Sequence, residues 1–182
     1  SGLGFVEAIK ELAARVGMQV PDDEGRPHDG PRLHTLTEIM ARAAKYYYEQ
    51  LKRSETAIAY LKRRGVSGEI AQKFGIGYAP DGWQNLAAAF EDYSASGLQQ
   101  AGLIIRNEQG RLYDRFSDRV MFPIVNQKGE VIAFGGRVLG DGEPKYLNSP
   151  ETPLFEKGRE VFGLPQARAV LREKNVAIVV EG

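Results

Sequence analysis

Apolar residues recur mostly every three or four positions as far as Gly102, and the period then changes to alternation as far as about residue 139. Leu3, Phe5, Val6, Ile9, Leu12, Ala13 and Val16 share one helical face, and Gly17 is a suitable stop. Met18 to Arg32 carries Pro21, Pro27 and Pro31 with Gly25, Gly30 and four acids, the composition of a linker or surface loop. Thr35-Leu36-Thr37-Glu38 has the pattern of a capping box, and Leu36, Ile39, Met40, Ala43, Tyr47 and Leu51 then predict a helix of four to five turns. Ser54 is placed to cap a second helix through Ile58 and Leu61 to Arg64, stopped by Gly65. Ser67 is placed to cap a short third through Ile70 to Phe74, stopped by Gly75. Ile76 to Tyr78 reads as extended and Ala79-Pro80-Asp81-Gly82 as a turn. Trp83 opens an apolar helical pattern through Leu86 and Phe90, with the lone tryptophan as a core anchor. A short helix near Leu98 stops at Gly102.

Leu103-Ile104-Ile105 and Arg111-Leu112-Tyr113 flank Asn107-Glu108-Gln109-Gly110, a hairpin pattern, and antiparallel sheet is expected to about residue 139. If Arg111 to Val125 is extended, Arg115, Ser117 and Arg119 share one face and Phe116, Val120, Phe122 and Ile124 the other. In the returning strand Gly135 and Gly136 open the backbone to close approach, with Arg137 beside them. From Arg106 to Arg159 nine cations face eight anions, so the region is not basic by count. Sequence physics favours a solvated strand face on which these arginines pair with Asp114, Asp118 and Glu130.

Pro144 to Gly158 is long for a connector and holds Lys145, Tyr146, Asn148 and Lys157. Arginine offers a fork that matches phosphate, lysine a point charge, tyrosine a stacking face and asparagine donors and acceptors, an inventory suited to a nucleotide or a single strand. Lys62-Arg63-Arg64 also suits a helix carboxyl end by its dipole alone. After a helix over Leu164 to Glu173, Val176 to Val180 is a continuous apolar run, the pattern of a strand buried on both faces. Glu181 follows it, where either a catalytic acid or an ordinary strand-end polar residue fits. Such a strand needs neighbours, so the expectation is a chain that stops just inside a second domain.

Composition narrows the classes. The chain has 182 residues, 42% hydrophobic and 26% charged, which fits a folded soluble domain and excludes collagen-like, coiled-coil and disordered classes. No cysteine and two histidines, His28 and His34, leave neither a disulfide framework nor a thiolate zinc site, and fit a reducing cytoplasm. No membrane span or export signal is read. Formal net charge is zero, with 24 basic and 24 acidic residues, so any polyanion site is a local arrangement of cations.

The motifs then converge. Tyr60-Leu61-Lys62-Arg63-Arg64-Gly65, Phe74 to Pro80, Asp114-Arg115-Phe116, Arg119 to Ile124, Phe134-Gly135-Gly136-Arg137, Pro144 to Thr152, Phe155 to Gly158 and Val179-Val180-Glu181-Gly182 closely resemble, in order, the RNA polymerase core of bacterial DnaG-type primases. The resemblance implies an α+β fold in which a helical amino-terminal part packs with a small, mainly antiparallel sheet, followed by the first strand of a truncated α/β TOPRIM domain. The divisions expected are a helix over 1–17, a loop over 18–33, a basic subdomain over 34–163 and the start of TOPRIM over 164–182. It implies short RNA primers made on single-stranded DNA from ribonucleoside triphosphates, in the bacterial cytoplasm at the replication fork. Arg64, Arg115, Arg119, Arg137, Lys145, Tyr146, Asn148 and Lys157 match template- or nucleotide-binding positions, and Glu181 matches the first catalytic and metal-ligating acid of TOPRIM. Ser117 departs from the family pattern, since some relatives carry arginine there. Mg²⁺ or Mn²⁺ belongs to the intact TOPRIM site and zinc only to an amino-terminal domain not contained here. Replicative helicase and single-strand-binding protein would be met through parts likewise not contained here. This piece alone is expected to be inactive, and a non-enzymatic module for single-stranded DNA or a regulatory nucleotide is the other reading.

Overall fold

A computed structural model describes residues 33–178. The helix expected over 3–16, the loop over 18–32, and Val179, Val180 and Glu181 lie outside the described residues. Helix α1 (Leu33–Arg53) buries Leu36, Met40, Ala43, Tyr47 and Leu51, the stripe its spacing predicts. The Ser54 hydroxyl accepts the Ala57 N–H at 3.2 Å and starts α2 (Glu55–Arg63), which Gly65 ends at φ +76°. The Ser67 hydroxyl likewise accepts the Ile70 N–H and starts α3 (Gly68–Lys73).

Strand β1 (Gly77–Ala79) leads to a 3-10 turn (Asn85–Ala88), helix α4 (Ser96–Gln100) and the hairpin β2 (Ile104–Arg106) and β3 (Leu112–Asp114). Strands β4 (Arg119–Val125), β5 (Val131–Val138) and β6 (Tyr146–Asn148) complete a four-stranded antiparallel sheet with β1, in the order β1-β4-β5-β6. Helix α5 (Leu164–Lys174) follows.

Both faces of this sheet are covered. On one, Met121, Phe134 and Phe116 pack with Leu36, Met40, Ala43 and Tyr47 of α1. On the other, Val120 packs with Ile76 and with Leu51, Ala57, Tyr60 and Leu61 from the ends of α1 and α2. Gly77 lets β1 lie directly on α1: a Cβ there would sit 2.6 Å from the Tyr47 Cβ.

Three expectations fail, each for a tertiary reason. Trp83 is 77% exposed and helical order is confined to Asn85–Ala88, with Leu86 and Phe90 the residues of this segment that enter the core. The segment from Arg111 to Val125 is not one strand. Asp118 takes φ +47°, which changes the phase between β3 and β4 and turns Phe116 to the α1 side, away from Val120. The proposed charged face is therefore not solvated: Arg119 is only 6% exposed, and Asp114, Asp118 and Glu130 accept from Tyr93, Tyr78 and Asn126 instead of from the arginines. Of the run expected as a strand, Val176 and Ile178 are exposed and residues 175–178 form no regular element, while Val179 and Val180 lie outside the described residues. No helix among the described residues is long and apolar enough to cross a membrane.

Candidate nucleic-acid interface

Alternation along β6 places two clefts on its two faces. Tyr146 and Asn148 line a cleft of about 520 Å³ whose floor includes Gly135 and whose far wall is Phe155, Lys157 and Phe162. Leu147, one residue between them, lines a second cleft of about 670 Å³ with Trp83, Tyr113, Arg115, Ser117 and Arg119. Arg115 ties the two together by donating from Nε and Nη2 to the Asn148 carbonyl at 3.2 and 2.9 Å.

The first cleft is built on a cross-strand register. Phe122 pairs with Gly135 and Gly135 with Asn148, so the missing side chain at Gly135 leaves a hollow between an aromatic ring and an amide. Arg137 pairs with Tyr146, and its guanidinium lies 4.7 Å from the centre of that ring. From its other side Arg137 donates Nε to the Tyr60 hydroxyl at 2.9 Å, and the Arg64 guanidinium lies 5.6 Å from the centre of the Tyr60 ring. A hydrogen-bonded tyrosine thus joins a cation at the carboxyl end of α2 to one on β5. Glu151 accepts the Lys157 backbone N–H at 3.0 Å and fixes the loop that carries Lys157.

The second cleft has a different construction. Arg119 donates from Nη1 to the Pro144 carbonyl at 2.7 Å, and burial draws its pKa below that of a free guanidinium, though it stays charged. Its stem lies where a Cβ on Gly136 would be, 3.0 Å away, so the second glycine makes room for Arg119 itself. Asp114 is buried, and desolvation raises its carboxyl while bonds from Tyr93 and the Leu86 N–H pull it back down. The turn that holds Trp83 is fastened to this carboxylate's own backbone, the Asp114 N–H donating to the Trp83 carbonyl at 2.7 Å.

The structure gathers Tyr146, Asn148 and Lys157 about the first cleft, with Arg137 beside it over the Tyr146 ring and Arg64 joined through Tyr60, and Arg115 and Arg119 about the second. Lys145 is exposed at the start of β6, its carbonyl accepting from the Val138 N–H. Glu181 lies outside the described residues. Among the described residues none of these six cations is ion-paired with a carboxylate; Arg115, Arg119 and Arg137 donate to carbonyls and a phenol. Arg115 and Arg137 are held by neutral acceptors and so keep their charge available to an anion, while Asp118 and Glu143 lie near enough to act on the charge of Arg119. Also among the described residues, no group of three or more His, Asp or Glu is placed to hold a metal ion, so the described residues do not by themselves fit a divalent-metal site. Sequence reasoning missed Tyr60 and Trp83: the first lay in a motif valued for its cations, and only outward orientation marks the second.

Residues 46–168 match the family model described as DNA primase catalytic core, N-terminal domain. The chain belongs to this family. It is 51% identical to the DNA primase of Pseudomonas putida, over 99% of this chain and 29% of that protein. A DnaG primase catalytic domain solved bound to ssDNA is 45% identical with a TM-score of 0.71, covering 75% of this chain and 46% of that one. The RNA polymerase domain of Mycobacterium tuberculosis DnaG, in complex with a double-stranded DNA oligomer bearing a 6-nucleotide overhang, is 37% identical with a TM-score of 0.76, covering 86% of this chain and 50% of that one. The chain thus spans less than a third of the P. putida primase and about half of each solved primase domain. The mixed fold, with helices on a small antiparallel sheet, is that of the primase catalytic core.

Proposed function

We propose that this chain forms the template- and nucleotide-binding wall of a primase that makes short RNA primers on single-stranded DNA. The observation that carries the proposal is the set of cations around β6 that lack carboxylate partners among the described residues, next to exposed aromatic rings.

Arg137 and Lys157 neutralise phosphate at the first cleft, where the cleft's volume suits a nucleotide, and Lys145 does so at its edge. Tyr146, 66% exposed, offers its ring to a base or sugar, and the Asn148 amide offers a donor and an acceptor to the same group. Arg64 and Arg115 follow the template backbone, and Trp83 with Tyr113, ring centres 5.9 Å apart, presents bases with a stacking surface in the second cleft. Arg119 is a positioning residue that holds the Pro144–Lys145 backbone. The described residues build no site for Mg²⁺ or Mn²⁺, and every role assigned here is one of binding or orientation.

The test is a pair of titrations, labelled single-stranded DNA and nucleoside triphosphate, against the wild-type chain and an Arg137→Ala, Lys145→Ala variant. Both affinities should fall in the variant. If neither changes, the site is wrongly assigned.

A further inference from the structure

The exposed Trp83 stands on a turn unusually well tied for so open a position. The Ser117 hydroxyl accepts the Gly82 N–H at 3.0 Å and donates to Asp81 Oδ1 at 3.2 Å. Pro80, which starts the turn, has its carbonyl bonded by the Asn85 side-chain amide at 3.0 Å and by the Asp118 N–H at 3.4 Å. The Trp83 carbonyl takes the Asp114 N–H. Both ends of the turn are thereby fixed to residues 114–118, which carry Arg115 into the same cleft. The core does not require this: the indole is 77% exposed and contributes no buried packing comparable to Leu86 or Phe90.

We infer that Ser117 is a positioning residue for Trp83: its hydroxyl clamps the Asp81–Gly82 backbone so that the indole is held ready for a base of single-stranded nucleic acid. An aromatic platform fixed in advance leaves less ordering to be done when the strand arrives, so the clamp strengthens stacking without touching phosphate. The inference rests on the reading of the second cleft as part of the strand path.

Trp83 is the sole tryptophan, so intrinsic fluorescence reports this ring alone. Single-stranded DNA should quench it in the wild-type chain. Ser117→Ala should weaken strand affinity about two- to tenfold, the range expected for losing one or two hydrogen bonds, and should lower the steady-state anisotropy of Trp83. The slope of affinity against salt should not change, because no cation is removed. Ser117→Thr, which keeps the hydroxyl, should restore both readouts, and Asp81→Asn should shift them in the same direction by less. If Trp83→Ala weakens strand binding while Ser117→Ala leaves affinity and anisotropy unaltered, the inference is overturned by itself. If Trp83→Ala binds the strand as tightly as wild type, the strand-path reading is wrong and the inference falls with it.

Discussion

Arg137 and Tyr60, far apart in sequence, meet through a 2.9 Å hydrogen bond from the guanidinium Nε to the phenol oxygen. Because the Arg64 guanidinium lies over the same ring, one side chain sets the spacing of two cations from different elements. Tyr60→Phe keeps the ring and removes the acceptor. It should change stability by no more than about 1 kcal/mol and weaken single-stranded DNA binding about two- to fivefold. Tyr60→Ala also empties a buried site and should cost about 3 kcal/mol in urea denaturation. Tyr60→Phe binding that matches wild type would show that Arg137 needs no such support.

Buried and open arginines should separate in stability measurements. Arg119→Ala removes the donor to the Pro144 carbonyl and the stem that fills the space above Gly136, at a cost of about 2 kcal/mol. Arg137→Ala should leave the urea midpoint near wild type while reducing strand affinity. Equal midpoints for the two variants would contradict the positioning role given to Arg119.

Alkaline pH should unfold the protein through specific tyrosines. Burial, with the carboxylates of Asp118 and Asp114 as hydrogen-bond acceptors, pushes the Tyr78 and Tyr93 hydroxyls above their ordinary range. A group whose folded pKa is raised contributes stability that is complete below its unfolded pKa, about 10 for tyrosine, and lost as pH climbs toward the folded value. Urea midpoints should therefore fall above about pH 10. In Tyr78→Phe and Tyr93→Phe the decline should be shallower; a decline as steep as wild type in both would assign it elsewhere.

Gly77→Ala tests the seat of β1 on α1. The new methyl would meet the Tyr47 Cβ at 2.6 Å and its backbone carbon at 2.7 Å, and backbone cannot swing aside. A loss of about 3 kcal/mol or more is expected in thermal or urea unfolding. Gly140→Ala, with open space around it, is the control and should change little.

What could be read from sequence was what neighbouring residues decide. Ser54 and Ser67 cap helices whose first amides are three residues away, Gly65 and Gly75 end them, and the Asn107–Gly110 hairpin closes locally. What could not be read depends on distant partners. Trp83 carries the size of a core residue, but Leu86 and Phe90 take the core positions and leave it outside. Arg119 carries the charge of a surface residue, but Pro144, 25 positions later, supplies a carbonyl that allows its burial. Arg137, Tyr146, Asn148 and Lys157 were recognisable as residue types, whereas their division from Arg115 and Arg119 by β6 follows from strand pairing that local pattern does not encode.

The most direct measurement is the salt dependence of single-stranded DNA affinity for the wild-type chain and for Arg137→Ala with Lys145→Ala. If these cations meet phosphate, log affinity falls linearly with log salt, and loss of two contacts makes the slope shallower by about 1.4. A variant with weaker binding and this shallower slope is the expected result. Unchanged affinity and slope would contradict the assignment of this surface to a nucleic-acid strand.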